Sequence, residues 1–130
     1  MSLIMEQKQR VTKKKASQAG LAAFFAITHE WGMTNKEQII ILGNPEPESF
    51  SRWKSDKKGV LSQENKDRIL QILRIYRALN TLYSKTNIKV WLRHINKNPL
   101  FNNRSPIEHM LTGRISAITD VKNYLDWVRE

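Results

Sequence analysis

The stretch from Arg104 to Val128 leaves the chain little choice of secondary structure. Ser105-Pro106-Ile107-Glu108 is a complete helix start. The serine hydroxyl can accept from free backbone amides, proline suits the first turn, and a glutamate three residues on can answer back to the cap. Gly113 stands where that short helix has to stop. Ile115, Ile118, Val121, Leu125 and Val128 then recur every three or four residues, which lays one apolar stripe along a second helix.

The rest of the chain follows the same period. Between Gln18 and Trp31, residues Leu21, Ala22, Phe24, Phe25, Ile27 and Trp31 predict an apolar helix ended by Gly32. Thr34-Asn35-Lys36-Glu37 is a capping box for a short helix carrying Ile39, Ile40 and Leu42, stopped by Gly43. Asn44 is expected to cap the next helix, with Pro45 or Pro47 in its first turn and Phe50 and Trp53 as inward anchors. Beyond a charged loop over 54–59, Leu61-Ser62-Gln63-Glu64 opens what reads as the longest helix. Its stripe is Ile69, Ile72, Leu73, Tyr76, Leu79, Leu82 and Tyr83, with Arg68, Gln71, Arg74 and Arg77 expected on more exposed positions. A short helix from Asn87 to His94 carries Ile88, Trp91 and Leu92 and is broken by Asn96-Lys97-Asn98-Pro99.

Strand-period alternation, hairpin dipeptides and internal repeats are absent from the sequence, so the expected class is all-α. The expected plan is a helix-turn-helix-like N-terminal half joined by a long helix to a small helical C-terminal domain. In residue numbers this gives a basic flexible arm over 1–17, a helix-turn-helix-like domain over 18–83 and a C-terminal domain over 84–130. The arm reads as mobile, or as an extension of the first helix, because it is polar and basic with little to bury. Met1-Ser2-Leu3 before Ile4-Met5 reads as extraneous residues ahead of a native start, with no part in the fold. A length of 130 residues fits one domain, or two small ones sharing a core.

The chain has no cysteine, which excludes disulfides, thiolate metal ligands and a thiol nucleophile and suits a reducing cytoplasm. The longest apolar run, Leu21 to Ile27, is too short to span a bilayer, and no signal-peptide pattern opens the chain. The expected location is therefore cytoplasmic, with no membrane partner. Lysine and arginine total 22 against 12 acids, a net charge of +10. Such an excess favours polyanions, nucleic acid before an anionic membrane surface.

Two short helices joined across Gly43-Asn44 have helix-turn-helix proportions, and the second, about Pro45 to Ser55, would enter the major groove. With Phe50 and Trp53 inward, Arg52 is the candidate for a guanine edge, and Ser49 and Ser51 for phosphate or short base contacts. Lys54, Lys57 and Lys58 suit phosphates, which position without reading sequence. Glu46 and Glu48 on the same stretch would repel phosphate. The plainer alternative is a surface helix whose cations are merely solvated.

Signs of an enzyme are few. His29, His94 and His109 are scattered without metal-ligand spacing, no glycine-rich phosphate loop occurs, and capping already explains Ser105. No catalytic residue, metal or cofactor is expected. Trp31, Trp53, Trp91 and Trp127 recur at apolar helical positions and read as core, although Trp127, near the end, suits an interface.

Phe101-Asn102-Asn103-Arg104-Ser105-Pro106, a short helix ending in Gly113, and the closing Val121-Lys122-Asn123-Tyr124-Leu125-Asp126 together resemble the toxin-binding domain of the antitoxin family usually called Xre/MbcA/ParS. That family has an aromatic-x-Gly-Arg-Ser-Pro-like turn and a V-x-x-Y-L-D segment. Asn103 stands where the family often has glycine, and asparagine also tolerates positive φ. Leu42-Gly43, Phe50-Ser51-Arg52-Trp53-Lys54, Leu61-Ser62 and Arg68-Ile69-Leu70 resemble its N-terminal half, so the likeness covers roughly residues 20 to 130.

The resemblance implies a homodimeric antitoxin of a type II toxin–antitoxin pair that binds operator DNA and occludes an NAD-consuming toxin of RES-domain type. The implied toxin surface is Arg104, Ser105, Pro106, His109, Met110, Arg114, Asp120, Tyr124, Trp127 and Arg129. The alternatives are a stand-alone helix-turn-helix regulator without a toxin, and a small enzyme such as a nuclease.

Overall fold

A computed structural model describes residues 3–130, and side-chain caps fix where several of its helices begin. The elements are α1 (Leu3–Glu30), α2 (Asn35–Leu42), α3 (Pro47–Asp56), α4 (Gln63–Leu82), α5 (Lys85–Arg93), α6 (Pro106–Met110) and α7 (Ile115–Arg129). One 3-10 turn lies at Pro99–Phe101 between α5 and α6. Among the described residues there is no strand, and the fold is all-α.

The Thr34 hydroxyl accepts the Glu37 amide at 3.2 Å while the Glu37 carboxylate accepts the Thr34 amide at 3.0 Å. Ser62 makes the same reciprocal pair with Asn65 and opens α4. Ser105 and Glu108 do so at the start of α6, at 3.1 and 3.0 Å. Each box satisfies amides that the first turn of a helix leaves unpaired.

Asn44 does not cap α3. It turns left-handed at φ 57, Glu46 takes the cap position without a side-chain bond, and Pro47 opens the helix. The chain reverses at Gly43-Asn44, and Asn44 stands two residues ahead of the cap position at Glu46. Nor is α4 the longest helix: α1 has 28 residues and α4 has 20. Residues 3–17 contain neither glycine nor proline and are rich in Lys, Gln and Arg, so α1 runs back through them. The basic arm thus takes its helical form, except for Met1 and Ser2, which lie outside the described residues.

α4 is the central element, packed against α1, α2, α5 and, most extensively, α7. One apolar cluster runs from Leu21, Phe24 and Ile41 through Ile72, Ile75 and Leu79 to Ile107, Ile118, Val121 and Leu125. Residues 18–83 and 84–130 therefore share a continuous core. No helix among the described residues is long and apolar enough to cross a membrane.

Arg68 was expected on an exposed face and is instead only 5% exposed. α2 ends at Leu42 and leaves unpaired carbonyls. The Arg68 guanidinium donates to two of its last carbonyls, Ile40 at 3.4 Å and Ile41 at 3.2 Å. Its other arm reaches the Gly113 carbonyl at 2.7 Å, which ties the turn before α7 to the end of α2. Gly43 makes room for it: at φ +99, an added Cβ would sit 3.1 Å from Arg68 Nε.

Candidate partner and nucleic-acid surfaces

The first three helices are joined by a line of polar side chains. The Thr28 hydroxyl donates to the Phe24 carbonyl at 2.8 Å and accepts from Gln38 Nε2 at 2.9 Å. Gln38 Oε1 in turn accepts from the Lys54 ammonium at 2.9 Å, and Asn35 Oδ1 accepts from the same ammonium. Lys54 Nζ also sits 5.9 Å from the ring centroids of both Phe25 and Phe50. Lys57 donates to the Lys54 carbonyl and lies 5.5 Å over Phe25.

Lys54 and Lys57 are thus turned toward the core side of α3 and bound within the chain, against the expectation that they meet phosphate. The reason is spacing: Lys54 is four residues after Phe50 on the same helical face, and Phe50 is buried against α1. Of the six expected DNA contacts, Ser51, Arg52 and Lys58 are exposed and Ser49 is half-buried. Glu46 and Glu48 are exposed at the head of the same helix. Trp53 is buried, and Gly59 closes over it so tightly that a Cβ there would lie 2.2 Å from the indole nitrogen.

In the C-terminal half, Arg104 Nη2 lies 3.2 Å from His109 Nδ1, and His109 Nε2 lies 3.1 Å from Asp120 Oδ2. A guanidinium only donates, so Nδ1 accepts and the Nε2–H is directed at Asp120. The imidazole stands edge-on to Phe101 with ring centroids 5.5 Å apart. Arg104 also donates through Nε to the Phe101 carbonyl at 3.3 Å. The Ser105 amide and hydroxyl, with Arg104 nearby, hold the Glu108 carboxyl below its ordinary value of 4.5.

This knot reassigns several residues expected on the toxin surface. Ser105, Pro106, His109 and Met110 are buried. α6 has five residues and packs against both α5 and α7, so its side chains build the turn instead of presenting it. Arg114, Trp127 and Arg129 are exposed, and Arg104, Asp120 and Tyr124 are half-buried. Trp127 is 65% exposed.

Sequence reasoning missed the aromatic ladder that leads to Trp127. Trp91 stacks against Tyr83 at 6.3 Å and against Tyr124 at 6.2 Å, with interplanar angles of 25° and 19°. Phe101 meets both Trp91 and Tyr124 edge-on, and Tyr124 lies 6.0 Å from Trp127. Beside Trp91 opens a cleft of about 330 Å³ lined by Tyr83, Asn87, Val90, Trp91, His94, Ile95 and Asn96. Val90 and Ile95 leave 47% and 58% of their surface in solvent. The signal available in sequence was Val90 next to Trp91, apolar and off the Ile88–Leu92 stripe.

Over 109 residues the chain is 35% identical to the uncharacterized protein y4oB of Sinorhizobium fredii (strain NBRC 101917 / NGR234), a match covering 83% of this chain and 82% of that protein. The chain belongs to the y4oB family. No family model matches it. A 109-residue match is longer than either 1–83 or 84–130, so the likeness to y4oB takes in parts of both halves.

Proposed function

We propose that this chain is the antitoxin of a type II toxin–antitoxin pair. Its C-terminal half covers the active-site cleft of a RES-type, NAD-consuming toxin, and its N-terminal half binds operator DNA and represses the shared operon. On this reading the chain is a cytoplasmic, homodimeric binding protein with no catalytic residues and no cofactor of its own.

The observation that carries the reading is Trp127, an indole 65% exposed at the outer end of an aromatic ladder rooted in the core. Large rigid aromatics with anchored bases make strong contact points because little side-chain freedom is lost on binding. Arg114 and Arg129 are exposed on the same closing segment, and Val90 and Ile95 add apolar area beside Trp91. The capping box at Ser105 and the Arg104–His109–Asp120 knot support the reading indirectly, by fixing the turn that resembles the antitoxin motif.

The test is co-expression with the product of the adjacent reading frame. Rescue of growth from that product, and a stable complex that is weakened in a Trp127→Ala variant, are the expected results. A neighbour that neither poisons cells nor co-purifies would overturn the proposal.

A second reading, a stand-alone transcriptional regulator, is favoured by one observation. α2 and α3 are short helices joined by a left-handed Gly43-Asn44 turn, and Arg52 is exposed on the second. Specific affinity for its own promoter, with no toxin beside it, would select that reading.

A further inference from the structure

The α1 extension has a cationic surface of which the readings above use only Lys58, at its edge. α1 is 28 residues long, about 42 Å at 1.5 Å per residue. Over 3–16 every described side chain is exposed except that of Glu6. That stretch holds Lys8, Arg10, Lys13, Lys14 and Lys15 against the single acid Glu6. At its root, Lys13 and Lys14 border a groove of about 610 Å³ together with Lys58, from the loop after α3, and Lys66, from α4. Its other walls are Ser17, Gln18, Gly59, Val60 and Leu61, so no carboxylate lines it. Among the described residues, none of these four lysines is in an ion pair.

Four ammonium groups from three separate segments, none of them ion-paired with a carboxylate, border one groove and make it attractive to an anion. Lys8, Arg10 and Lys15 add positive charge farther along the same helix, which favours a long polyanion over a small ion. At 100° per residue these bases fall on all sides of α1 and are interspersed with Leu3, Ile4 and Val11. A membrane-surface helix needs its apolar and basic residues on separate faces. α3 offers a poorer backbone seat, since Lys54 and Lys57 are bound inward and Glu46 and Glu48 are exposed.

We infer that the groove between α1 and the start of α4 seats the phosphodiester backbone of nucleic acid, through Lys13, Lys14, Lys58 and Lys66, without regard to sequence. The surface is separate from the aromatic ladder, so the inference stands or falls independently of the toxin reading.

The experiment measures affinity of the full chain for a scrambled duplex of about 20 base pairs between about 50 and 200 mM salt. Each phosphate contact contributes about 0.9 to the slope of log affinity against log salt. The quadruple variant Lys13→Gln, Lys14→Gln, Lys58→Gln, Lys66→Gln is expected to flatten that slope by about 3 to 4. A control of equal charge change at exposed sites elsewhere, Lys36→Gln, Arg74→Gln, Lys89→Gln, Lys97→Gln, is expected to change it by less than about 1.

Equal slopes for the two variants, or no duplex binding by the wild type, would overturn the inference. So would binding to phosphatidylserine vesicles, or to a poly-glutamate peptide of similar length, that depends on the groove lysines and exceeds duplex binding. Every exchanged side chain is exposed, and matching circular dichroism of the two variants confirms that both remain folded.

Discussion

Arg68 donates from Nη2 to the backbone carbonyl of Gly113 at 2.7 Å, across 45 positions of sequence. The same guanidinium closes the end of α2 through Ile40 and Ile41. Replacing Arg68 by leucine would take the guanidinium donor from the buried Ile41 carbonyl and from Gly113, and leave Ile40 with the Gly43 amide alone, so the expected loss is about 3 kcal/mol of unfolding free energy. Arg68→Lys keeps the charge but not the planar fork, and is expected to lose an intermediate amount. Urea denaturation measures both. A leucine variant as stable as the wild type would refute the bridging role.

Two glycines should respond differently to the same exchange. At Gly59, with φ +147, a Cβ would meet Trp53 Nε1 at 2.2 Å and Cδ1 at 2.4 Å. Gly59→Ala is therefore expected to cost about 2 to 3 kcal/mol and to alter the Trp53 contribution to fluorescence. At Gly32, with φ +74, nothing lies within 4 Å of the added atom. Only the left-handed backbone opposes alanine there, about 1 kcal/mol. The order of the two midpoints in chemical denaturation is the check.

Acid should weaken the tie between α5 and α2. Arg93 donates to the Glu37 carboxylate at 2.8 and 3.0 Å, and this pairing foremost holds Glu37 below its ordinary value of 4.5. A carboxyl depressed in the folded state contributes stability that is fully present above 4.5 and is lost as pH falls through the lower, folded value. The stability difference between wild type and Glu37→Gln should thus stay level near neutrality and shrink on acidification below 4.5. A difference that widened in acid would contradict the assignment. Glu108 is lowered in the same direction by its cap and should add to the acid sensitivity.

Trp127 and Phe101 should separate binding from folding. Phe101 is fully buried at the junction of Trp91, Tyr124 and His109, so Phe101→Ala is expected to cost about 3 to 5 kcal/mol of stability. Trp127 is largely in solvent, so Trp127→Ala should change stability by less than about 0.5 kcal/mol. If the proposed antitoxin role holds, its effect falls on the complex with the toxin, about 2 kcal/mol or a 30-fold weaker dissociation constant, read by calorimetry. Unaltered affinity would move the contact surface elsewhere.

The features legible in the sequence were those set by neighbours a few residues apart. Thr34 with Glu37, and Ser105 with Glu108, form the boxes that their spacing spells. Asn103 takes the positive φ of 63 that its place in the turn asks for. Arg68 was illegible because its partner Gly113 lies far along the chain, and a lone arginine on a helix carries no mark of what packs opposite it. Lys54 was misread for a related reason: its acceptors Asn35 and Gln38 belong to another helix. His109 and Met110 carried motif-like identity, yet in a five-residue helix packed between two others they are buried and only Glu108 is left exposed. The aromatic ladder was hidden because Trp91 and Tyr124 sit at positions that also suit a core.

Because α4 serves as a common wall for the helices before it and the helices after it, neither α7 nor the buried part of α1 from Leu21 onward can be discarded alone. A protease that trimmed away α7 would strip one flank of α4 bare and loosen α1 and α2 in the same event. Whatever the two halves bind, the firmness of each grip rests on the same central helix.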